Sequence, residues 1–196
     1  MTAIVYHHTD TLRLPWIIEA GELRPGPNAI GNFPDPDFLW ATTCERGDRT
    51  SSISQNDYRN GVTQIVRFTL SATDFEPWPA ITESFPQWTA KHIAALESAA
   101  QKRGVTDFSA WRCRVTPLSV SDVIKIEVKA YTGQWRVLDP AHSKFIRGPA
   151  GGFRAVILGG FVYGAERHKF PDGGYGFNNL FRAPHDAAIT PDLKVS

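Results

Sequence analysis

The sequence is short of cysteine, of net charge and of long apolar runs, and each shortage excludes a class of protein. Two cysteines, Cys44 and Cys113, are too few for a disulfide framework, which predicts reduced thiols and a cytoplasmic protein. The 21 basic and 20 acidic residues leave a formal net charge of +1, so any nucleic acid must be engaged locally. No apolar run approaches bilayer length and no signal peptide is evident, so we expect no membrane partner.

What is present indicates a folded globule. The chain has 196 residues, a hydrophobic share of 42% and six tryptophans, which is enough for one domain with a substantial core. The composition shifts beyond Asp139, so we predict a core over residues 1–140 and a C-terminal hairpin extension over 141–196 that packs on the same domain. The chain has no Cys-x-x-Cys, His-x-x-x-His or Gly-x-Ser-x-Gly pattern, so neither a metal site nor a serine hydrolase is predicted.

The most informative segment is a strand-to-helix passage near the N-terminus. Ala3 to Tyr6 is apolar and β-favouring, and Thr9 or Asp10 is placed to cap a helix that ends at Gly21. His7 is therefore predicted at a strand end, where a pocket can open. Imidazole is the side chain best suited to orienting or relaying protons near neutral pH.

The later pattern predicts a series of short elements. Strands are expected near residues 38–43, 62–70, 111–115, 122–130 and 131–138, a helix over 87–103, and a polar loop over 44–61. Lys125, Glu127 and Lys129 alternate with apolar residues, which predicts a half-exposed strand with Glu127 on its solvent face. Residues 148–152 are expected to form a flexible loop, and the last dozen residues a loose tail.

Three segments together resemble the start of an ADP-ribosyltransferase-like domain. They are Tyr6-His7-His8-Thr9, a short helix that ends in Ala20-Gly21-Glu22-Leu23, and Trp40-Ala41-Thr42-Thr43. The resemblance implies an α+β fold of split, bent, mainly antiparallel sheets with a few helices. It also implies NAD, as a substrate, in the cleft between the two sheets.

The resemblance also assigns site residues. His7 matches the histidine that holds ribose hydroxyls, with Thr9 as its supporting neighbour, and Trp40, Thr42 and Thr43 match the strand that helps hold the nicotinamide. Cleavage of the glycosidic bond of NAD builds an oxocarbenium-like ribose, so the site must orient the ribose and stabilise positive charge. The alternative for His7 is a strand-end histidine whose ring is satisfied by a backbone carbonyl, and the alternative for Trp40 is a place in the packed core.

The chain departs from this family at the catalytic carboxylate. Where the typical transferase has glutamate, this chain has Ala110-Trp111-Arg112. Other carboxylates follow Thr43, but their spacing singles none of them out: Glu45, Asp48 and Asp57. RNA 2′-phosphotransferases manage without the glutamate by binding phosphate with histidine and arginine.

Three arginines suit such phosphate binding, because guanidinium forks match phosphate geometry: Arg67, Arg112 and Arg114. We predict Arg67 as a catalytic residue together with His7. The alternative for Arg67 is a surface-facing position on an edge strand.

These observations lead to one prediction of function and two alternatives. The prediction is a protein that transfers ADP-ribose from NAD to a protein or nucleic-acid acceptor, or hydrolyses NAD; a toxin of this kind would have an antitoxin or immunity partner. The first alternative is an NAD-dependent RNA 2′-phosphotransferase that uses the arginines. The second is a non-catalytic module that binds NAD or an ADP-ribose-like ligand.

Overall fold

The computed structural model describes residues 3–26, 32–48, 53–140, 143–147, 153–158, 161–169 and 175–178. The helices are α1 (Leu14–Ala20), α2 (Gln55–Arg59) and α3 (Ala90–Gln101), with 3₁₀ turns at Ala80–Ser84 and Val120–Asp122. The strands are β1 (Ile4–Asp10), β2 (Glu22–Leu23), β3 (Leu39–Thr42), β4 (Ile65–Ser71), β5 (Glu76–Pro77), β6 (Trp111–Arg114), β7 (Leu118–Ser119), β8 (Lys125–Lys129), β9 (Arg136–Leu138), β10 (Lys144–Arg147), β11 (Phe153–Leu158), β12 (Phe161–Lys169) and β13 (Tyr175–Asn178). The predicted class, α+β with mainly antiparallel sheets and few helices, is confirmed.

The chain forms two compact units, each assembled from several segments. The first unit comprises Met1–His8, Glu22–Ser52 and Phe68–Ile124. The second comprises Thr9–Gly21, Ile53–Arg67 and Lys125–Ser196. Residue 140, the predicted boundary, lies inside the second unit.

The sheet of the first unit has the strand order β5-β6-β3-β1, and the part of β4 in this unit follows β1. The pairs β1–β3, β3–β6 and β5–β6 are antiparallel, with Tyr6 of β1 opposite Thr42 of β3 and Thr42 opposite Trp111 of β6. The next pair along β3 and β6 is Ala41 opposite Arg112. This register decides which side chains share a face, as described below for the site.

An aromatic cluster forms the core of the first unit. Its most buried aromatic members are Phe38, Trp78, Trp88 and Trp111. Helix α3 packs against this cluster through partly buried side chains and begins at a capping box, in which Thr89 and His92 bond each other's main-chain N–H groups. Trp78 donates its indole N–H to Glu97 of the same helix at 3.0 Å, which satisfies a polar atom inside the cluster.

The second unit contains α1, and the N-terminal helix begins later than predicted. Asp10 accepts hydrogen bonds from the main-chain N–H groups of Leu12 and Arg13 and pairs with the Arg13 guanidinium, so it stabilises a turn before Leu14. The predicted end is confirmed, because Gly21 adopts φ 71° and its N–H bonds the last carbonyls of the helix.

The remaining strands of the second unit form antiparallel pairs. Strands β10, β11, β12 and β13 lie in sequence order, and α1 contacts β11 and β12. The strands predicted over 122–130 and 131–138 are present as β8 and β9, which form an antiparallel hairpin with Glu127 opposite Val137. Within the predicted loop over 44–61 the structure has α2, which Ser54 caps by accepting from the N–H of Asp57.

Some predictions fall outside the described residues, namely the loop over 148–152 and the C-terminal tail. Among the residues that are described, no helix combines the length and the apolar character that crossing a bilayer requires.

Candidate functional site

His7 is fixed by a hydrogen bond to the neighbouring strand. Its imidazole Nδ1 lies 2.7 Å from the main-chain oxygen of Trp40. Because a carbonyl oxygen only accepts, Nδ1 carries a proton and donates this bond. The residue lies inside β1, which continues to Asp10, and not at the end of a strand as predicted. The half-buried ring lies 6.0 Å from the ring of Phe68.

The register aligns His7 with an arginine across three strands. Side chains alternate between the two faces of a sheet, and Tyr6 lies opposite Thr42. Continued by one residue from Tyr6 and Thr42, this register puts His7 beside Ala41, on the other face, and Ala41 lies opposite Arg112. We call His7, Ala41 and Arg112 the His7 row. Its outer Cα atoms are two strand spacings apart, about 10 Å.

The arginine of this row is held by the main chain. Arg112 Nη1 donates to the carbonyl oxygens of Ser109 and Trp111, each at 2.7 Å. The half-buried guanidinium is thus fixed at the start of β6. Ala41 lies between the two polar residues, is buried and has only a methyl side chain. It therefore projects less from the sheet than His7 or Arg112.

Thr43 follows β3 on the side where β6 begins. Its main-chain N–H donates to the carbonyl of Ala110 at 2.8 Å, and its side chain is exposed. Thr43 lies one residue beyond the end of β3, so the alternation within the strand does not assign its side chain to a face.

The other two predicted ligands of β3 lie on the face opposite to His7. The Trp40 indole packs in the aromatic cluster, with its ring centroid 5.1 Å from that of Trp78 and 5.4 Å from that of Trp111. Thr42 is buried, and its hydroxyl accepts the main-chain N–H of Cys44. The assignment of both the His7 imidazole and the Trp40 indole to one NAD site does not fit this register. Trp40 takes its alternative place in the packed core.

His8, on the face of Trp40, holds the loop that follows β3. Its Nε2 lies 3.3 Å from the carbonyl of Glu45, and its ring would lie 3.1 Å from a Cβ at Gly47. The end of the loop is tied by Asp48, whose carboxylate accepts the Trp111 indole N–H at 2.6 Å. The spacing in the sequence singled out none of the carboxylates Glu45, Asp48 and Asp57. In the structure, Asp48 is hydrogen-bonded to Trp111, the first residue of β6.

Thr9 and Arg67, the remaining predicted site residues, belong to the second unit. Thr9 is buried. Arg67 donates from Nε and Nη2 to the same oxygen of Glu127, at 3.0 and 2.7 Å, and Lys125 lies 3.0 Å from the other oxygen. The prediction of a solvated Glu127 is wrong, because Glu127 is 6% exposed, and the surface alternative for Arg67 is wrong too, because Arg67 is 4% exposed.

The surroundings keep this pair ionised. Burial raises the pKa of Glu127, but hydrogen bonds from Arg67 and Lys125 and their positive charges outweigh it, so its pKa lies below the ordinary value. The Arg67 guanidinium also lies under the Trp135 ring, 4.1 Å from its centroid. Arg67 therefore neutralises an internal carboxylate.

The third candidate arginine is also engaged locally. Arg114 donates to the carbonyls of Thr116 and Pro117 and to the Thr116 hydroxyl. Of the three arginines considered for phosphate binding, Arg112 is the one that lies in the His7 row, two strands from His7. The sequence named Arg112, but only the strand pairing distinguishes it from Arg67 and Arg114.

No cluster of three or more histidine, cysteine, aspartate or glutamate side chains in the described part of the chain is arranged to hold a metal ion. Comparisons with protein-family models, curated proteins and solved structures find no match.

Proposed function

We propose that the chain is an ADP-ribosyltransferase-like protein that binds NAD on the His7 row and transfers ADP-ribose to a macromolecule or hydrolyses NAD. The observation that carries the proposal is the row itself, with a fixed imidazole and a fixed guanidinium on either side of a small residue. The proposal also includes the split and bent sheets of the ADP-ribosyltransferase-like fold. This is a more specific statement than the α+β class described above.

Each residue of the row suits one part of a dinucleotide. The imidazole of His7, oriented by the hydrogen bond from Nδ1 to the Trp40 carbonyl, suits a ribose hydroxyl. The guanidinium of Arg112 suits the pyrophosphate, because its fork matches two phosphate oxygens. The methyl of Ala41 lets a sugar approach the sheet. Because main-chain carbonyls hold both polar groups, little side-chain entropy is lost on binding.

The binding test compares the row with matched neighbours. We expect His7→Gln and Arg112→Gln each to weaken NAD binding by about 1.5–3 kcal/mol, or roughly 10- to 150-fold in Kd, in calorimetric titrations. His8→Gln, on the opposite face, and Arg114→Gln, two residues further along β6, are the controls and should bind like wild type. A wild-type protein that shows no NAD binding would refute the proposal.

A second candidate, NAD-dependent RNA 2′-phosphotransferase, is favoured by the positive charge of Arg112 where the typical transferase has a carboxylate. A guanidinium there attracts a phosphate and does not stabilise an oxocarbenium ion. Turnover separates the candidates. Nicotinamide release from NAD without RNA supports the transferase or hydrolase, whereas release only with 2′-phosphorylated RNA supports the phosphotransferase. Binding of NAD with neither activity supports the non-catalytic module.

A further inference from the structure

A second surface, outside the His7 row, combines aromatic and cationic side chains. It lies on the hairpin of β8 and β9 in the second unit. Glu127 lies opposite Val137 in this hairpin, and Val137 is 61% exposed. By alternation Lys125 and Lys129 share the face of Glu127. We call this face, with Trp135 beside it, the Trp135 face.

Charge and aromatic character coincide there. Trp135 is half-buried, with the Arg67 guanidinium 4.1 Å from its ring centroid and the ammonium of Lys129 5.9 Å from it. Arg67 is buried and pairs with Glu127, so the cations that this face offers are the two lysines: Lys125, which is exposed, and Lys129, which is half-buried. The charges are local, because the whole chain has a net charge of only +1.

The hairpin also exposes a second aromatic ring. Tyr131, in the turn between the strands, is 52% exposed and packs edge-on against Tyr58 at 5.4 Å. The Tyr58 hydroxyl bonds the carbonyl of Ala130, which fixes the start of the turn. A large apolar side chain and two aromatic rings are thus accessible next to lysines.

We propose that the Trp135 face binds single-stranded nucleic acid. Unstacked bases bind to aromatic rings and exposed apolar groups, and the phosphates between them bind to lysine. An electrically balanced protein that engages nucleic acid needs such a local patch, because its overall field is too weak. The proposal goes beyond the NAD proposal and is independent of it, because nucleic-acid binding is measured without NAD.

The test uses fluorescence anisotropy with labelled single strands of about 12 nucleotides, as RNA and as DNA, and a duplex of the same sequence. We expect both single strands to bind more tightly than the duplex. Trp135→Leu, which keeps an apolar cover over Arg67, should weaken Kd by roughly 5- to 100-fold. Lys91→Gln, on the exposed side of α3, is the control and should bind like wild type.

Salt dependence gives a second readout that is insensitive to small losses of stability. Replacing Lys125 and Lys129 by glutamine should lower the slope of log Kd against log salt by about 1.4, since each single-strand phosphate contact contributes about 0.7. Far-UV circular dichroism verifies that each variant is folded. Absence of single-strand binding by wild type, or an unchanged slope in the folded double variant, would overturn the proposal.

Discussion

The buried ion pair of Arg67 and Glu127 gives a stability prediction whose size follows from the structure. Glu127→Gln retains the side-chain length and one acceptor oxygen but removes the negative charge. The side chains of Arg67 and Glu127 are 4% and 7% exposed. Removing one partner of a buried pair costs about 3–5 kcal/mol, because the remaining charge has no counter-charge. We expect a loss of about 3 kcal/mol, because the amide oxygen still accepts one hydrogen bond.

Urea unfolding, followed by circular dichroism and tryptophan fluorescence, measures this loss. With an m-value of about 2–3 kcal/mol/M, the midpoint should fall by about 1–1.5 M. Glu83→Gln is the matched control, because Glu83 is exposed, and its free energy of unfolding should change by less than about 0.5 kcal/mol.

The pH dependence of stability has a definite sign. The pKa of Glu127 in the folded protein lies below its ordinary value of 4.5, so the folded protein binds a proton less readily than the unfolded chain. The pair therefore contributes its full stability above pH 4.5 and loses it as the pH falls through the folded pKa. The difference in the free energy of unfolding between wild type and Glu127→Gln should therefore decrease as the pH falls from 4.5 through the folded pKa of Glu127.

A double variant tests whether the cost comes from an uncompensated charge. Arg67→Met combined with Glu127→Leu replaces the pair by apolar side chains, and we expect it to be more stable than either single variant. The reasoning is refuted if Glu127→Gln costs less than about 1 kcal/mol, as a surface ion pair would. It is equally refuted if the costs of the two single changes simply add.

Three further predictions concern the first unit. Gly47→Ala should lower stability by about 1–3 kcal/mol in thermal melts, because φ is +72° and the new Cβ would lie 3.1 Å from the His8 ring; a neutral result would contradict the loop geometry. Thr89→Ala should cost about 0.5–2 kcal/mol by removing the cap of α3, and an unchanged melting temperature would rule out that role. Cys44 should react with a thiol reagent much faster than Cys113. Cys113 is fully buried, and burial raises the pKa of its thiol well above the ordinary value. Equal labelling of the two cysteines by mass spectrometry would disprove this.

Features set by neighbouring residues could be predicted from the sequence. Gly21 ends α1 because glycine adopts the left-handed conformation at little cost, and the apolar runs locate most strands of the first 140 residues. The class, α+β with mainly antiparallel sheets, was implied by the resemblance and agrees with these short-range signals. The start of α1 was harder to place, because Asp10 stabilises a turn with the same bonds that a cap would make.

Contacts between distant segments could not be predicted in this way. Alternation along β8 shows that Glu127 and Lys125 share a face, but it does not show which face is buried. Glu127 is buried because its partner, Arg67, lies 60 residues earlier in the chain and brings a compensating charge.

The candidate site shows most clearly which features the sequence predicts and which depend on contacts between distant segments. The sequence by itself placed His7 in the first strand and the segment from Trp40 to Thr43 in a strand. Only the pairing of Tyr6 with Thr42 decided that Ala41 and Arg112 accompany His7 while Trp40 joins the core. The physical reason is the two-residue period of a strand: a shift of one residue in register moves every side chain to the other face.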